Sequence, residues 1–326
     1  MHNRFAKTLL PEHSLDVFIA ALILDEPPKN KLRKRCTNRN PIKRSSARDV
    51  PPPKFSAHMF DEYLKRWDLT IDGEAFTSLN GNLLPVRQHG IPAILKISQV
   101  AEEQAGGLLM AWWDGKGAAP VLTHDDQALL MLRAQGPASL ARMASSGWDD
   151  EATRILCMVA AQLHAPVAKP TPPLVPLEQW FVALWDTAAI HGGILEHCAR
   201  TARELLAAPR DITVLHGDIH HGNVLDFGPS GWLAIDPKGL YGERGFDYAN
   251  IFCNPDSESA LAPGSFTRRI EIVAKASGID RQRLLQWVLA WTGLSITWML
   301  EDDLEPGTNL GVAKLAAAAL GIGDYP

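Results

Sequence analysis

The residue types that chemistry needs converge on one segment, VLHGDIHHGNVLDFGPSGWLAIDPKGL, residues 214–240. It carries an acid at Asp218 and an amide at Asn223, five positions on. A second acid, Asp236, closes an apolar strand thirteen positions later. An aspartate can orient a hydroxyl and take its proton as the oxygen attacks phosphorus, while Asn and Asp supply the hard oxygens that hold Mg²⁺. Gly217 and Gly222 let the backbone turn tightly around these side chains. A phosphoryl-transfer site also needs a cation for the nucleotide phosphates, on a strand, and an acid on the next helix to orient it. Lys96 lies in the strand-like AILKI, and Glu102 and Glu103 open the following helical stretch.

The surrounding pattern shows what must position these groups. Residues 60–68 read as a short amphipathic helix. A β-rich stretch follows, with turns at Asp72-Gly73 and His89-Gly90 and a strand over 91–98 that has Pro92 at its entry. Residues 101–113 predict a helix and 127–133 a buried strand that ends at Gln135-Gly136-Pro137. Beyond that the chain turns helical. Residues 151–164 place Ile155, Leu156, Met158, Val159 and Leu163 on one face and stop before Pro166. Helices are expected at 177–190 and 193–207, short strands at 212–219 and 231–236, and helices again at 266–277, 281–300 and 310–320.

His-x-Asp-x-x-x-x-Asn with a strand-end Asp is the layout of the protein-kinase catalytic loop and its metal-binding aspartate. HGDIHHGN followed by IDPKGLYGERGFDYANIFCNP resembles the aminoglycoside phosphotransferases, and within them the streptomycin 6-phosphotransferase, or aminoglycoside/hydroxyurea resistance kinase, branch. Ile235-Asp236-Pro237, Gly239-Leu240, Gly242-Glu243, Phe246 and Ala249-Asn250 carry the likeness. Trp112, Asp114-Gly115, Gly117 and Ala118 fit a second, looser motif. The resemblance spans about residues 60–325.

The resemblance implies an α+β, protein-kinase-like two-lobed fold, with a β-rich N-lobe over 59–134 and a larger, mostly helical C-lobe over 135–326. It makes Asp218 the catalytic base and Asn223 and Asp236 the Mg²⁺ ligands. Lys96 becomes the contact to the ATP phosphates, paired with Glu103. Backbone groups near Leu132 and Ala134 would meet adenine. Apart from the resemblance, Trp298 reads as a lining residue of the acceptor cavity, and the acidic cluster Glu301-Asp302-Asp303 reads either as a solvated helix end or as buried carboxylates for a guanidinium-bearing aminoglycoside such as streptomycin. There is no G-x-G-x-x-G loop; Ser78-Leu79-Asn80-Gly81-Asn82 stands in its place with one glycine. Pro237 replaces the Phe of Asp-Phe-Gly, which argues against a regulated protein kinase.

Other readings of the same residues remain open. Asp218 could cap a turn, and His216, His220 and His221 could bind a metal in a hydrolase. The acceptor could be hydroxyurea, a choline-like amine or a sugar derivative, or the chain could bind nucleotide without turnover. His216 and Asp247 read as groups that brace the loop.

Composition sets the frame. The 326 residues are 46% hydrophobic and 21% charged, which excludes a disordered or collagen-like chain. No stretch is apolar enough to read as a membrane helix, and the net charge of −5 argues against a nucleic-acid partner. That −5 is a cancellation. Residues 1–58 carry 12 Lys+Arg and 5 Asp+Glu, a net of +7, so 59–326 carry 20 and 32, a net of −12. The basic, Pro-rich leader is expected to be disordered and incidental, with Met59 as the natural start. The acidic remainder suits a cationic substrate. Cys36, Cys157, Cys198 and Cys253 form no ladder or metal motif, as expected of free thiols in the cytoplasm. Nothing in the sequence sets the oligomeric state.

Overall fold

The computed structural model describes residues 58–78 and 81–323. The expectations for the leader, and for the middle of the loop at Leu79 and Asn80, lie outside the described residues. The chain opens with helix α1 (His58–Arg66) and an antiparallel sheet of β1 (Leu69–Ile71), β2 (Phe76–Thr77), β3 (Asn82–Gln88), β4 (Ile91–Ile97), β5 (Val121–His124) and β6 (Ala128–Leu132). The order is β1-β3-β4-β6-β5, with β2 beside β3. β3 and β4 join through His89 and Gly90, at φ 51° and 82°. Positive φ at both turn residues matches the right-handed twist of the flanking strands, as hairpins favour.

Strand alternation decides which way Lys96 faces. In β4, Ala93, Leu95 and Ile97 pack with Phe60 and Tyr63 of α1. Ile94 packs on the opposite face with Leu83, Met110 and Ile235. Lys96 shares the Ile94 face, between Leu83 and Leu129 in the ladders. Helix α2 (Ala101–Trp113) follows on that side and ends at Asp114 in the left-handed conformation. The Asp114–Ala118 motif then returns the chain, and Ala118 bridges to Ala234 in the second half of the molecule. A Cβ at Gly117 would lie 2.9 Å from Gln162 Cβ, so the glycine permits that approach.

The second half is built from helices α3 (Asp149–Leu163), α4 (Val182–His191), α5 (Ile194–Ala207), α6 (Ser265–Ser277), α7 (Arg281–Glu301) and α8 (Gly307–Ala319), with short helical turns between them. Helix α7 is buried all round from Trp287 to Trp298, as a helix apolar on every side must be, and Asp280 caps it through the N–H groups of Gln282 and Arg283. The inward face of α3 differs from the expected one. Met158 is 46% exposed and Ile155 only half-buried, while Ala152, Leu156, Val159, Ala160 and Leu163 are buried. The small Ala152 and Ala160 allow close packing and rotate the buried stripe away from Met158.

Short strands thread these helices. β8 (Ile212–Leu215) pairs with β11 (Leu240–Glu243), which also pairs with β7 (Val175–Pro176), while β9 (Val224–Asp226) and β10 (Trp232–Ala234) pair with each other. The predicted 212–219 and 231–236 strands are thus shorter, because their last residues leave the ladders to form the site. Cys157, Cys198 and Cys253 are buried free thiols, and burial pushes Cys157 and Cys198 up to about 12. No described helix is long and apolar enough to cross a membrane.

Candidate active site

The loop between β8 and β9 is fastened from below by one carboxylate. Asp247, 1% exposed, accepts hydrogen bonds from the backbone N–H of His216 (2.9 Å) and of Gly217 (2.7 Å), and contacts His164 Nε2 at 2.8 Å. His216 lies in the middle of the loop. Its Nε2 sits 2.9 Å from Ile235 O and its Nδ1 accepts from Asp218 N–H at 3.2 Å, while its ring stacks on Trp113. Burial lowers its pKa, so the ring is neutral and serves as a spacer between the loop and the Ile235–Asp236 segment. Gly217 has φ 88°, and a Cβ there would lie 2.8 Å from Leu240 Cδ1. A side chain at this position would meet both strain and collision.

Asp218 stands at the loop's tip, 9% exposed. Asn223 Nδ2 donates to its Oδ2 (3.1 Å) and to its backbone O (2.9 Å). Asn250 Nδ2 donates to its Oδ1 at 2.7 Å, and Asn250 Oδ1 in turn accepts from Asn254 Nδ2 at 2.8 Å. The Asn250–Asn254 turn is itself pinned by Arg269, which donates to Ile251 O and Asn254 O and pairs with Asp149 inside the helical core. Both oxygens of Asp218 are therefore aimed by amides. Sequence reasoning missed the contribution of Asn250, whose only trace was its place in the family pattern.

Asp236 follows β10 at φ 63°, a left-handed backbone that turns its carboxylate toward the first sheet. Lys96 Nζ forms close ion pairs with Asp236 and with Glu103, which is 8% exposed on α2. A Cβ at Gly106 would lie 2.2 Å from Pro237 O, so α2 sits directly against the Asp236-Pro237 segment. Lys238, 6% exposed and absent from the expected site, adds a second cation, with Nζ 3.4 Å from Glu103 Oε1 and 3.4 Å from Asp236 Oδ2. Burial opposes the charge on Asp236, but Lys238 and Lys96 outweigh it and hold the carboxyl well below the usual range. Burial likewise pulls Lys96 down, and Asp236 and Glu103 more than reverse it. Glu102, with Oε1 3.8 Å from Lys238, is pushed up to about 7, chiefly by burial.

The donor set fits a hard divalent cation. Asn223 spends its Nδ2 on Asp218, which leaves Oδ1 as the atom for a cation, and its backbone O accepts from Ile235 N–H at 2.9 Å, which sets the carboxylate-bearing Asp236 segment beside it. Magnesium is held in this way by one or two protein oxygens, with waters and phosphates completing its shell. Among the described residues no group of three or more His, Cys, Asp or Glu side chains is placed to hold a metal ion. His216 has both ring nitrogens engaged, and His220 Nδ1 accepts from Gly222 N–H at 3.0 Å.

The remaining expected residues lie elsewhere. Leu132 and Ala134 sit at the end of β6 and just beyond it, where the chain passes to the helical half. Leu132 gives its N–H to Pro120 O (2.9 Å) and Arg133 gives its N–H to Pro92 O (3.1 Å), while Ala134, buried, accepts at its O from Gln135 Nε2 (3.0 Å). Trp298 is buried, edge-on to Trp180 at 5.7 Å. Glu301 and Asp302 are exposed at the C-terminal end of α7, not buried as the guanidinium-binding reading needs, because the helix stops there and releases its polar end to solvent.

The family model for aminoglycoside/hydroxyurea antibiotic resistance kinases matches residues 66–303. The chain belongs to that family. It is 52% identical over 244 residues to a streptomycin 3''-kinase of Klebsiella pneumoniae, covering 73% of this chain and 91% of that protein. Identity to a streptomycin 6-kinase of Streptomyces glaucescens is 30% over 266 residues, covering 75% and 83%. Among solved structures, a thermostable mutant of aminoglycoside phosphotransferase APH(4)-Ia in ternary complex with ADP and hygromycin B matches with a TM-score of 0.55. That match is 12% identical and covers 80% of this chain and 96% of that one. The fold is therefore the protein-kinase-like one of the aminoglycoside phosphotransferases, with a β-sheet first part and a helical second part. This resistance-kinase family is the setting in which the Asp218 cluster is interpreted.

Proposed function

We propose that the protein transfers the γ-phosphoryl group of ATP to a hydroxyl of streptomycin, inactivating the antibiotic in the cytoplasm. The observation that carries this reading is the Asp218 carboxylate, fixed through both oxygens by Asn223 and Asn250 and facing the Lys96–Glu103–Asp236 cluster. Asp218 orients the acceptor hydroxyl and takes its proton. Lys96, aligned by Glu103, binds the nucleotide phosphates. Asn223 and Asp236 would hold Mg²⁺, which when bound neutralises phosphate oxygens. The roles of Leu132 and Ala134 reduce to apolar and backbone lining beside the base.

The resemblance to the streptomycin 6-phosphotransferase branch implies the 6-hydroxyl as acceptor. The 52% identity to a 3''-kinase, against 30% to a 6-kinase, favours the 3''-hydroxyl. Incubation with ATP, Mg²⁺ and streptomycin, followed by phosphorus–proton correlation NMR of the product, tests both points. A phosphate on the 3''-oxygen supports the reading, and one on the 6-oxygen restores the first expectation. Turnover of hydroxyurea alone in a substrate panel would overturn the streptomycin assignment.

A further inference from the structure

Two lysines reach the carboxylates of this site, and the second approaches acids that the first already pairs. Lys96 touches both Glu103 and Asp236, so these two acids already have a counter-ion. Lys238 nevertheless brings a second ammonium to the same pair, at 3.4 Å from each, and to Glu102 at 3.8 Å. Its side chain is almost wholly buried, and a buried ammonium is unfavourable unless its partners satisfy it. All three separations are longer than a tight charge-assisted hydrogen bond of about 2.7–2.9 Å, so the head group is held near its partners without being saturated by them.

The backbone fixes Lys238 relative to the rest of the machinery. Its N–H donates to His216 O at 2.6 Å, two residues before Asp218. It lies two residues after Asp236, on the segment that α2 packs against at Gly106. It is therefore tied at once to the loop that carries Asp218 and to the strand end that carries Asp236. An entering triphosphate brings oxygens that can replace the loose carboxylate contacts, and a lysine head suits phosphate as a compact point charge.

We infer that Lys238 is a second phosphate-binding lysine, which holds the γ-phosphoryl group of ATP while Lys96 serves the phosphates behind it. The inference rests on the kinase reading above. During transfer the acceptor oxygen–phosphorus bond forms as the bond from phosphorus to the β-phosphate oxygen breaks. The hydroxyl proton passes to Asp218, and ADP leaves with the electron pair. Charge on the three peripheral oxygens of the moving group is then opposed by a preplaced cation, which needs no reorganisation.

Calorimetric binding of ADP and of the non-hydrolysable analogue AMP-PNP, each with Mg²⁺, separates a γ-phosphate contact from a structural counter-ion. Lys238→Met should weaken AMP-PNP about tenfold or more, the loss of one charge-assisted hydrogen bond, while ADP stays within about threefold of wild type. Lys238→Arg keeps the charge but moves it. It should retain the melting temperature and ADP affinity while changing the AMP-PNP to ADP affinity ratio, so the proposal stays testable if the methionine variant fails to fold. Equal weakening of both nucleotides in Lys238→Met, or an unchanged ratio in Lys238→Arg, overturns the role of Lys238. A wild-type protein that binds neither nucleotide overturns the kinase reading itself.

Discussion

At the phosphate end of the site, Asp218, Asn223, Asn250 and Asp236 sit on short loops whose backbone is tied down on all sides, by Asp247, by the His216 ring and by Arg269. At the end expected to meet the acceptor, Trp298, Glu301 and Asp302 sit at the end of one long helix, where Trp298 packs against Trp180 and the two acids are exposed. The first arrangement needs particular residues at particular spacings, because each side chain closes a short ring with nearby backbone. The second needs only a polar helix end. Precision is concentrated where charge moves, and the wall that chooses the acceptor is assembled by packing between distant helices.

Substitutions can break or sharpen this contrast. The largest effect belongs to Asp218→Ala, which should lower kcat about 10²-fold or more with little change in folded content by circular dichroism. Next comes Asn250→Ala, which frees one oxygen of Asp218. Steady-state kinetics should show a kcat loss of about tenfold, because the freed oxygen of Asp218 is no longer aimed at the acceptor hydroxyl. An unchanged kcat would make Asn250 a packing residue only.

Glu102→Gln tests the charge balance without touching Asp218. The wild-type carboxyl, pushed up to about 7 by burial from its ordinary 4.5, is disfavoured as an anion in the folded protein. Its folded pKa is the raised one. The unfolded chain therefore releases the proton first, and wild-type stability falls as pH rises from about 4.5 to about 7. The glutamine variant escapes that loss. It should be more stable than wild type by about 1–3 kcal/mol in urea titrations of the nucleotide-free protein at pH 8, and the gap should close near pH 4.5. Smallest of all, Glu301→Gln with Asp302→Asn should change kcat and the KM for streptomycin by less than about twofold, since exposed carboxylates bind a cation weakly in water. A large rise in KM would return these two residues to the acceptor site.

What the sequence made legible follows the same division. A pairing of Lys96 with an acid at the start of the next helix could be anticipated from residue type and order, but Glu102 and Glu103 both qualified, and only the family resemblance pointed to Glu103. The bracing roles of Asp247 and His216 also emerged from residue type and position. Lys238 lay in plain view in IDPKGL yet went unread, because a lysine after a turn usually points to water. The approach of α2, which Gly106 permits, sets Glu102 and Glu103 against it, and the loop at Gly217 closes on its other side. Asn250 is invisible for a related reason: its contact with Asp218 spans 32 positions and depends on Arg269 and Asp149 meeting across the helical core. The inward face of α3 was misplaced because the hydrophobic pattern gives weight to Met158 and little to Ala152 and Ala160, although small residues decide how closely helices approach. Composition split the chain into a basic leader and an acidic remainder, and the acidity is what remains of the argument for a cationic substrate now that the exposed α7 end no longer supplies it.

The most direct test of the whole account is ATP-dependent transfer of labelled phosphate to streptomycin by the purified protein, run beside the Asp218→Ala variant. The account predicts a phosphorylated, inactive antibiotic with wild type and a rate at least about 10²-fold lower with the variant. No product from wild type, or an undiminished rate from Asp218→Ala, would contradict it.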